Sequence, residues 1–312
     1  MTESLLNPFT GLRPAPGFAE DVAAPPYDVL SFDEAAALAE GRPWSFLHVS
    51  RPEIDLPART DPHAEEVYAK GAENLNAMIE ADILIRDENP CYYVYRIVMG
   101  DHPQTGLVAA TPVSAYLANT VRKHEYTRPD KEDDRVRQID EVDAQTGPVL
   151  VVHEPQAAIG TVLADVTARD ATYDVTQPDG VRHIVWTVSE PDEVQRVADA
   201  YAPVDVLYIA DGHHRSAAAA RVAALRDARH VDGDLHFRFL IVAFPSDELR
   251  ILDYNRVVKD LNGLSKEAFL ERVGEAFDVK PHDGPMRPAA QHSFGMYLDG
   301  AWYALETTAA PD

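Results

Sequence analysis

The residues best suited to chemistry stand together in one hexapeptide, Ala210-Asp-Gly-His-His-Arg215. Periodicity and composition predict a strand over 204–210 and a helix over 216–229 on either side of it. A strand, a glycine turn and a helix start together form an anion site, because first-turn N–H groups and the helix dipole face the ligand. We therefore predict that phosphate groups of a ligand are bound by Asp211, Gly212, His213, His214 and Arg215.

A structural role also fits parts of this hexapeptide. Asp-Gly alone is typical of a turn, Asp211 can cap the helix, and the two histidines can lie at the surface. A zinc site is disfavoured, because two adjacent histidines do not easily converge on one ion and no third ligand has a telling spacing. The complete set of residue types at a strand–helix junction favours a functional site over a plain turn.

A second cluster, residues 121–137, concentrates positive charge. Six of its seventeen residues are Lys or Arg, against 28 of 312 in the whole chain. We predict that Lys123, Arg128 and Arg135 face a transferred phosphoryl group, and we assign Glu125 and His124 to catalysis. Phosphoryl transfer to a hydroxyl needs a carboxylate that accepts the proton beside cations that stabilise the charge. Acidic residues are interleaved, so an exposed helix with ion pairs is an equal alternative.

A third group of candidates consists of polar residues in rigid or pocket-edge positions. Two prolines in Ala24-Pro-Pro-Tyr-Asp28 fix an extended backbone, which suits a site wall and equally a structural lead-in to the first strand. We predict that the substrate is bound by Tyr27, Asp28, His48, Asn255 and Arg256.

The elements that must position these residues mix strands and helices. Ser31-Phe-Asp-Glu34 is a capping box at a helix start, and β-rich runs over 91–98 and 106–116 predict a hairpin. Residues 130–145 read as a helix. Because the elements do not follow a strict βαβ alternation, we predict the α+β class, with mixed sheets and packed helices.

Composition excludes several classes of function. The chain has 52 acidic and 28 basic residues, a net charge of −24 that opposes binding to nucleic acid or to an anionic membrane. No apolar run approaches a membrane span, no signal peptide is visible, and the single cysteine excludes an internal disulfide. We expect a cytoplasmic protein without nucleic-acid or membrane partners; the composition sets no oligomeric state.

Four segments of the sequence resemble the domain-of-unknown-function family ten-fifteen. They are Ala24-Pro-Pro-Tyr-Asp-Val29, Lys123-His-Glu-x-Thr127 with Arg135 downstream, Ala210-Asp-Gly-His-His-Arg215 and Ile251-Leu-x-x-Asn-Arg-Val-Val258. The resemblance runs from about Asn7 to about Leu305. The core of that family is similar to the ParB/sulfiredoxin superfamily, and particularly to the free-serine kinases within it.

The resemblance implies a ParB/sulfiredoxin-like core that contains the Asp-Gly-His-His-Arg turn. It further implies phosphoryl transfer from ATP or ADP, with Mg²⁺, to the hydroxyl of free serine or a similar small molecule. Glu125 then corresponds to the catalytic carboxylate and residues 211–215 to the phosphate cradle. Asp211 is our candidate Mg²⁺ ligand, because a hard cation prefers carboxylates and phosphates. The alternative is a non-catalytic nucleotide- or effector-binding module of ParB-like ancestry.

These arguments predict three regions of the chain. Residues 1–118 form an N-terminal α+β region with the Pro-Pro-Tyr-Asp motif and the hairpin. Residues 119–232 form the nucleotide-binding core, with an insertion at about 154–201 because the two motifs lie farther apart than in the compact kinases. Residues 233–312 form a C-terminal α+β region, and we expect it to be naturally short or truncated, because the family pattern usually continues beyond Leu305.

Overall fold

The computed structural model describes residues 4–58, 60–231 and 235–308, and the chain divides into two compact units, Met1–Arg250 and Ile251–Asp312. The strands of the first unit are β1 (Leu12–Pro14), β2 (Leu84–Arg86), β3 (Tyr92–Met99), β4 (His102–Pro112), β5 (Val121–Arg122), β6 (Val149–His153), β7 (Tyr173–Thr176), β8 (Arg182–Val188), β9 (Leu207–Asp211) and β10 (Arg238–Pro245). Its α-helices are α1 (Ala19–Val22), α2 (Phe32–Ala39), α3 (Leu47–Ser50), α4 (Glu65–Glu80), α5 (Val113–Leu117), α6 (Pro129–Val142), α7 (Ala157–Thr167), α8 (Pro191–Tyr201) and α9 (His213–Ala228). Short 3₁₀ helices cover Tyr27–Val29, Pro52–Asp55, Leu235–Phe237 and Ser246–Glu248.

One eight-stranded sheet organises the first unit, in the order β5-β9-β6-β10-β4-β3-β8-β7. The pairs β5–β9 and β6–β10 are parallel, and the other neighbours are antiparallel. Strands β3 and β4 form the predicted hairpin, with Met99 opposite His102. Mixed pairing with helices packed on the sheet confirms the α+β class.

The compact units differ from the three predicted regions. Strands β3 and β4 come from the first region, β8 and β9 from the second and β10 from the third, yet all five lie in the same sheet. The segment predicted as an insertion contributes α7, β7, β8 and α8, and its β8 pairs with β3 inside that sheet. Pairing between strands distant in sequence leaves no trace in local composition, so the division before Ile251 is not visible in the sequence alone. The three regions stay a prediction.

A continuous apolar core lies between the sheet and its helices. Val151, Ile241 and Ala243 of the central strands are fully buried and pack with α7, α8 and α9. The alanines of α9 let this helix approach the strands closely, which favours dense packing. Helix α6 packs in turn on α9 through Val136, Ala218 and Val222. The chain segment that precedes α6 is therefore held beside the start of α9.

Two local predictions from the sequence can be compared directly with the structure. The capping box is confirmed, because Ser31 Oγ accepts a hydrogen bond from the N–H of Glu34 at 3.3 Å and the Glu34 carboxylate accepts one from the N–H of Ser31 at 2.8 Å. The helix predicted to start at Ser216 begins instead at His213. Gly212, with φ +98°, turns the chain straight from β9 into the helix, so His213, His214 and Arg215 form its first turn.

The second unit contains α10 (Lys266–Val273) and an antiparallel sheet of β11 (Phe277–His282), β13 (Ala301–Thr307) and β12 (Ser293–Leu298), in that order. A hairpin turn at Asp299-Gly300 joins β12 to β13, and both turn residues have positive φ, 48° and 79°. Within the described residues of the chain, no helix combines the length and the apolarity that crossing a membrane requires.

Candidate functional site

The Asp-Gly-His-His-Arg turn joins β9, which ends at Asp211, to the 16-residue helix α9. Gly212 has a left-handed backbone at φ +98°, and a Cβ added there would lie 3.2 Å from Cζ of Arg215. Any other residue would therefore be strained and would displace the guanidinium. The first turn of α9 has N–H groups without helical partners, and its dipole favours an anion at this end.

His213 and His214 both bind the loop of residues 123–128. His213 is buried, at 3% exposure, and its Nε2 accepts a hydrogen bond from the N–H of His124 at 3.4 Å. Its Nδ1 lies 3.2 Å from Oε1 of Glu125. His214 Nε2 accepts a hydrogen bond from the N–H of Arg128 at 3.1 Å. The motif histidines thus hold both ends of the loop that carries the candidate base.

Electrostatics at His213 favour the neutral ring. Burial lowers the pKa of His213, and the neighbouring Glu125 opposes this effect. The His124 ring meets the His213 ring edge-on, with centroids 4.4 Å apart, and also acts to lower this pKa. The Glu125 side chain is 54% exposed, so a ligand can reach its carboxylate although its partner histidine is buried.

Arg215 has one partner within the turn and one beside the neighbouring strand β6. Its Nη2 forms an ion pair with Asp211, and its Nη1 donates to the carbonyl of Pro148, immediately before β6. No sequence motif pointed to Pro148 as a partner of Arg215, and the Gly-Pro pair before a buried strand is the signal that could have identified it. Asp211 does not cap α9, because no side chain caps this helix start.

Tyr27 and Arg135 extend the site on one side. The Arg135 guanidinium lies over the Tyr27 ring, with Cζ 3.9 Å from the ring centroid. Burial raises the pKa of Tyr27, Asp28 adds to this effect, and Arg135 and Arg215 oppose it. Tyr27 is therefore within electrostatic reach of the turn. Its backbone is held by Arg51, whose Nη1 donates to the carbonyl of Tyr27 at 2.9 Å.

The three cations predicted to face a phosphoryl group each have a partner in this structure. Lys123 Nζ lies 4.1 Å from the centroid of the Tyr116 ring. Arg128 precedes α6 and pairs with Asp130 at 2.6 Å, and Arg135 pairs with Asp134 at 2.6 Å. A bound nucleotide would have to exchange these partners.

The remaining predicted substrate residues lie in different surroundings. His48 Nδ1 contacts Asp55 at 2.8 Å and its Nε2 faces the carbonyl of Arg42 at 3.2 Å, so both ring nitrogens serve local packing. Asn255 and Arg256 belong to the second unit, in an exposed segment without helix or strand. Their assignment to the substrate stays a prediction.

One group of side chains has the composition of a metal site. His124, Glu125 and His213 place three potential ligand atoms within 4.8 Å of one another. Two imidazoles and a carboxylate suit Zn²⁺ or another transition metal. The sequence disfavoured such a site because the third ligand was not apparent, since His124 and His213 are 89 residues apart. Asp211, the predicted Mg²⁺ ligand, is outside this group and pairs with Arg215.

Two hollows of the first unit lie elsewhere. The larger, about 380 Å³, is lined by residues of four chain segments, among them Arg96, Thr105, Gln156 and Glu248. The other, about 340 Å³, is mainly apolar and lies between the start of α5 and α9. Neither hollow was predicted, because its walls combine segments that share no motif.

The fold and the site define an α+β protein in which a strand–glycine turn–helix motif faces a loop carboxylate. The model of the family DUF1015, whose description is "protein of unknown function", matches residues 6–311. The chain belongs to this family, as the four motifs predicted. No curated protein and no solved structure shows significant similarity to it.

Proposed function

We propose that the protein is a small-molecule phosphotransferase similar to the free-serine kinases, built on a ParB/sulfiredoxin-like core. It transfers a phosphoryl group from ATP or ADP to the hydroxyl of free serine, or of a similar small molecule, to give O-phosphoserine. The observation that supports this proposal is the 3.2 Å contact between Glu125 Oε1 and His213 Nδ1. It joins a half-exposed carboxylate to a helix start that is suited to phosphate.

The reaction needs one proton acceptor and several groups that bind phosphate. The acceptor oxygen forms a bond to the terminal phosphorus, the bond to the leaving nucleotide oxygen breaks, and the hydroxyl proton passes to Glu125. First-turn N–H groups of α9 bind the phosphate oxygens, and Gly212 lets them approach the backbone. Positioning and charge stabilisation supply most of the catalysis in such transfers.

Arg215 and Asp211 give this site a way to exchange partners. In the structure the two side chains form an ion pair, and the Asp211 carboxylate is 69% exposed. A phosphate that takes the Arg215 fork releases Asp211, because the fork binds phosphate as well as it binds carboxylate. The freed carboxylate is then available to Mg²⁺, which neutralises phosphate charge when it is bound.

Tyr27 and Asp28 form the acceptor side of the proposed site. The Tyr27 ring is fixed under Arg135 and the Asp28 side chain is exposed. A carboxylate of this kind can bind the ammonium group of a free amino acid, which a protein-bound serine lacks. This difference is what the proposed preference for a free small molecule rests on.

Direct detection of the product tests the proposal. The full chain is incubated with Mg²⁺, free serine and in turn ATP, ADP and CTP, and O-phosphoserine is measured by ³¹P NMR. We expect product with ATP or ADP, and none with Glu125→Gln, which should keep its nucleotide affinity. Glu66→Gln, an exposed carboxylate on α4, is the matched control. Near-normal turnover of Glu125→Gln would show that the base is assigned wrongly.

The same assay addresses a non-catalytic module, the alternative proposal. The observation that favours it is that Lys123, Arg128 and Arg135 already have partners. Nucleotide binding that depends on Arg215, without phosphoserine and with at most slow hydrolysis, would favour the module over the enzyme.

A further inference from the structure

The hydrogen bonds around His213 define its protonation state. Nε2 accepts from the backbone N–H of His124 at 3.4 Å, so that nitrogen carries a lone pair. Nδ1 faces Oε1 of Glu125 at 3.2 Å, and a carboxylate oxygen only accepts. The arrangement is consistent only if the proton is on Nδ1 and points at Glu125.

We propose that His213 is held as the neutral Nδ1–H tautomer and acts as a positioning residue that fixes the Glu125 carboxylate in the site. The tautomer stands on geometry alone, whereas its consequence for turnover rests on the proposed function. His213 does not then belong to the phosphate cradle, where the sequence placed it. It links the cradle to the base.

The surroundings of His213 support this role. The ring is 3% exposed, so water does not compete for its hydrogen bonds. Ser216 Oγ donates to the carbonyl of His213 at 3.0 Å, which holds the residue in the first turn of α9. The titratable groups that act on the ring are Glu125 and Asp211, which favour its charged form, and His124 and His214, which oppose that form together with burial.

The loop that carries Glu125 is fixed at two further points. Before it, Arg122 of β5 pairs with Tyr208 of β9. After Glu125, the N–H of Arg128 donates to His214 Nε2 at 3.1 Å. With one carboxylate oxygen held by His213 and the backbone held on both sides, the second oxygen of the half-exposed Glu125 is presented to an acceptor hydroxyl.

This hydrogen-bond pattern differs from that of a metal ligand. A ligating histidine needs a lone pair on the nitrogen that faces the ion, and its other N–H usually donates to an acceptor. Here the nitrogen that faces Glu125 carries the proton, and the other nitrogen faces a donor. The same three side chains therefore give opposite tautomers in the two roles, which makes the roles separable by experiment.

The first experiment measures the tautomer and needs no activity. Long-range ¹H–¹⁵N spectra of the full chain, labelled on histidine and recorded at neutral pH, are assigned by the loss of signals in His213→Asn. We expect a protonated Nδ1 and an unprotonated Nε2 for His213. The reverse tautomer would overturn the proposal. So would stoichiometric binding of Zn²⁺ or Mn²⁺ that is lost in both His124→Ala and His213→Ala.

The second experiment measures turnover across pH. His213→Leu removes the donor, whereas His213→Asn keeps an N–H donor near the Nδ1 position; urea unfolding verifies that both variants fold. Loss of a hydrogen bond to a charged group should lower kcat roughly 10–100-fold in His213→Leu. In His213→Leu, the KM for the nucleotide should stay near the wild-type value, and the acid limb of the pH profile should shift to higher pH. His213→Asn should recover part of kcat. An unmoved pH profile would contradict the positioning role.

The two experiments separate two kinds of failure. If the wild-type chain forms no phosphoserine while the Nδ1–H tautomer is observed, the proposed function fails and the arrangement of His213 and Glu125 stands. If phosphoserine forms but the tautomer is reversed, the enzyme stands and the role of His213 is wrong.

Discussion

Two histidine–carboxylate pairs of the first unit have similar geometry and different surroundings. His48 Nδ1 lies 2.8 Å from Asp55, and His213 Nδ1 lies 3.2 Å from Glu125. Asp55 is 22% exposed and also accepts from Asn74 at 2.8 Å, whereas Glu125 is 54% exposed. The Asp55 carboxylate already has two hydrogen-bond partners, His48 and Asn74, whereas the Glu125 carboxylate is exposed enough to contact a ligand. Under the proposed function, the exposure of the carboxylate, rather than the pair itself, distinguishes a reacting group from a structural one.

The largest expected effect is a loss of turnover when Glu125, but not Asp55, is replaced. Glu125→Gln should lower kcat for phosphoserine formation about 10²–10⁴-fold, the usual contribution of a general base. Because the side chain is half-exposed, the free energy of unfolding should change by less than about 0.5 kcal/mol. Steady-state kinetics and urea unfolding measure both quantities. Asp55→Asn should leave kcat within about twofold of the wild type. Equal losses of kcat in the two variants would remove the distinction.

Next comes the turn that carries His213. Gly212→Ala places a Cβ 3.2 Å from Arg215 Cζ at φ +98°, so it should lose about 1–2 kcal/mol of stability and also weaken nucleotide binding. Gly17→Ala is a matched control, because Gly17 has φ +93° and nothing within 4 Å of its added Cβ. Urea unfolding and nucleotide titration should show similar losses of stability and a loss of affinity only in Gly212→Ala. Unchanged nucleotide affinity would mean that Arg215 does not bind the phosphates.

Removal of the contact between His48 and Asp55 should lower stability with little effect on turnover. Asp55→Ala leaves His48 and Asn74 without their shared acceptor, so the free energy of unfolding should fall by about 1 kcal/mol. Turnover should remain close to that of the wild type. Chemical denaturation and the phosphoserine assay measure these outcomes, and a large fall in kcat at unchanged stability would place His48 in the substrate site after all.

The smallest expected effect is a pH dependence of stability. Burial lowers the pKa of His213 from 6.5, so the unfolded chain binds a proton more readily than the folded one. The stabilising effect is complete above about pH 6.5 and declines as the pH falls below it, with a slope of at most about 1.4 kcal/mol per pH unit. Urea unfolding between about pH 8 and about pH 5.5 should show a smaller slope in His213→Asn.

His153 gives a control for this slope. It is buried at 1% exposure, and burial lowers its pKa as well, but it lies outside the site at the end of β6. His153→Gln should remove its own share of the slope without any change in turnover. A slope identical in wild type and His213→Asn would mean that His213 is not protected from protonation.

Particular residues show which features of the fold and the site can be predicted from the sequence. The order of a strand, a turn and a helix around Gly212 was predicted correctly, because an apolar run and an alanine-rich run are local signals. The start of α9 was misplaced by three residues, because the left-handed glycine acts on the backbone without changing the periodicity. The third potential metal ligand was missed, because His124 and His213 are 89 residues apart.

The sequence by itself determined the types of element, the residue chemistry of the turn and the membership of the family. Periodicity, capping and side-chain charge are local properties, so they can be read without knowing the fold. Only the tertiary structure decided that Glu125 meets His213, that His48 is saturated by Asp55 and that the predicted cations already have partners. The contact of Glu125 with His213 depends on the parallel pairing of β5 with β9 and on the packing of α6 against α9, which bring together segments far apart in the chain. The other pairs join residues at most seven positions apart, and side-chain conformation within the folded segment decides them.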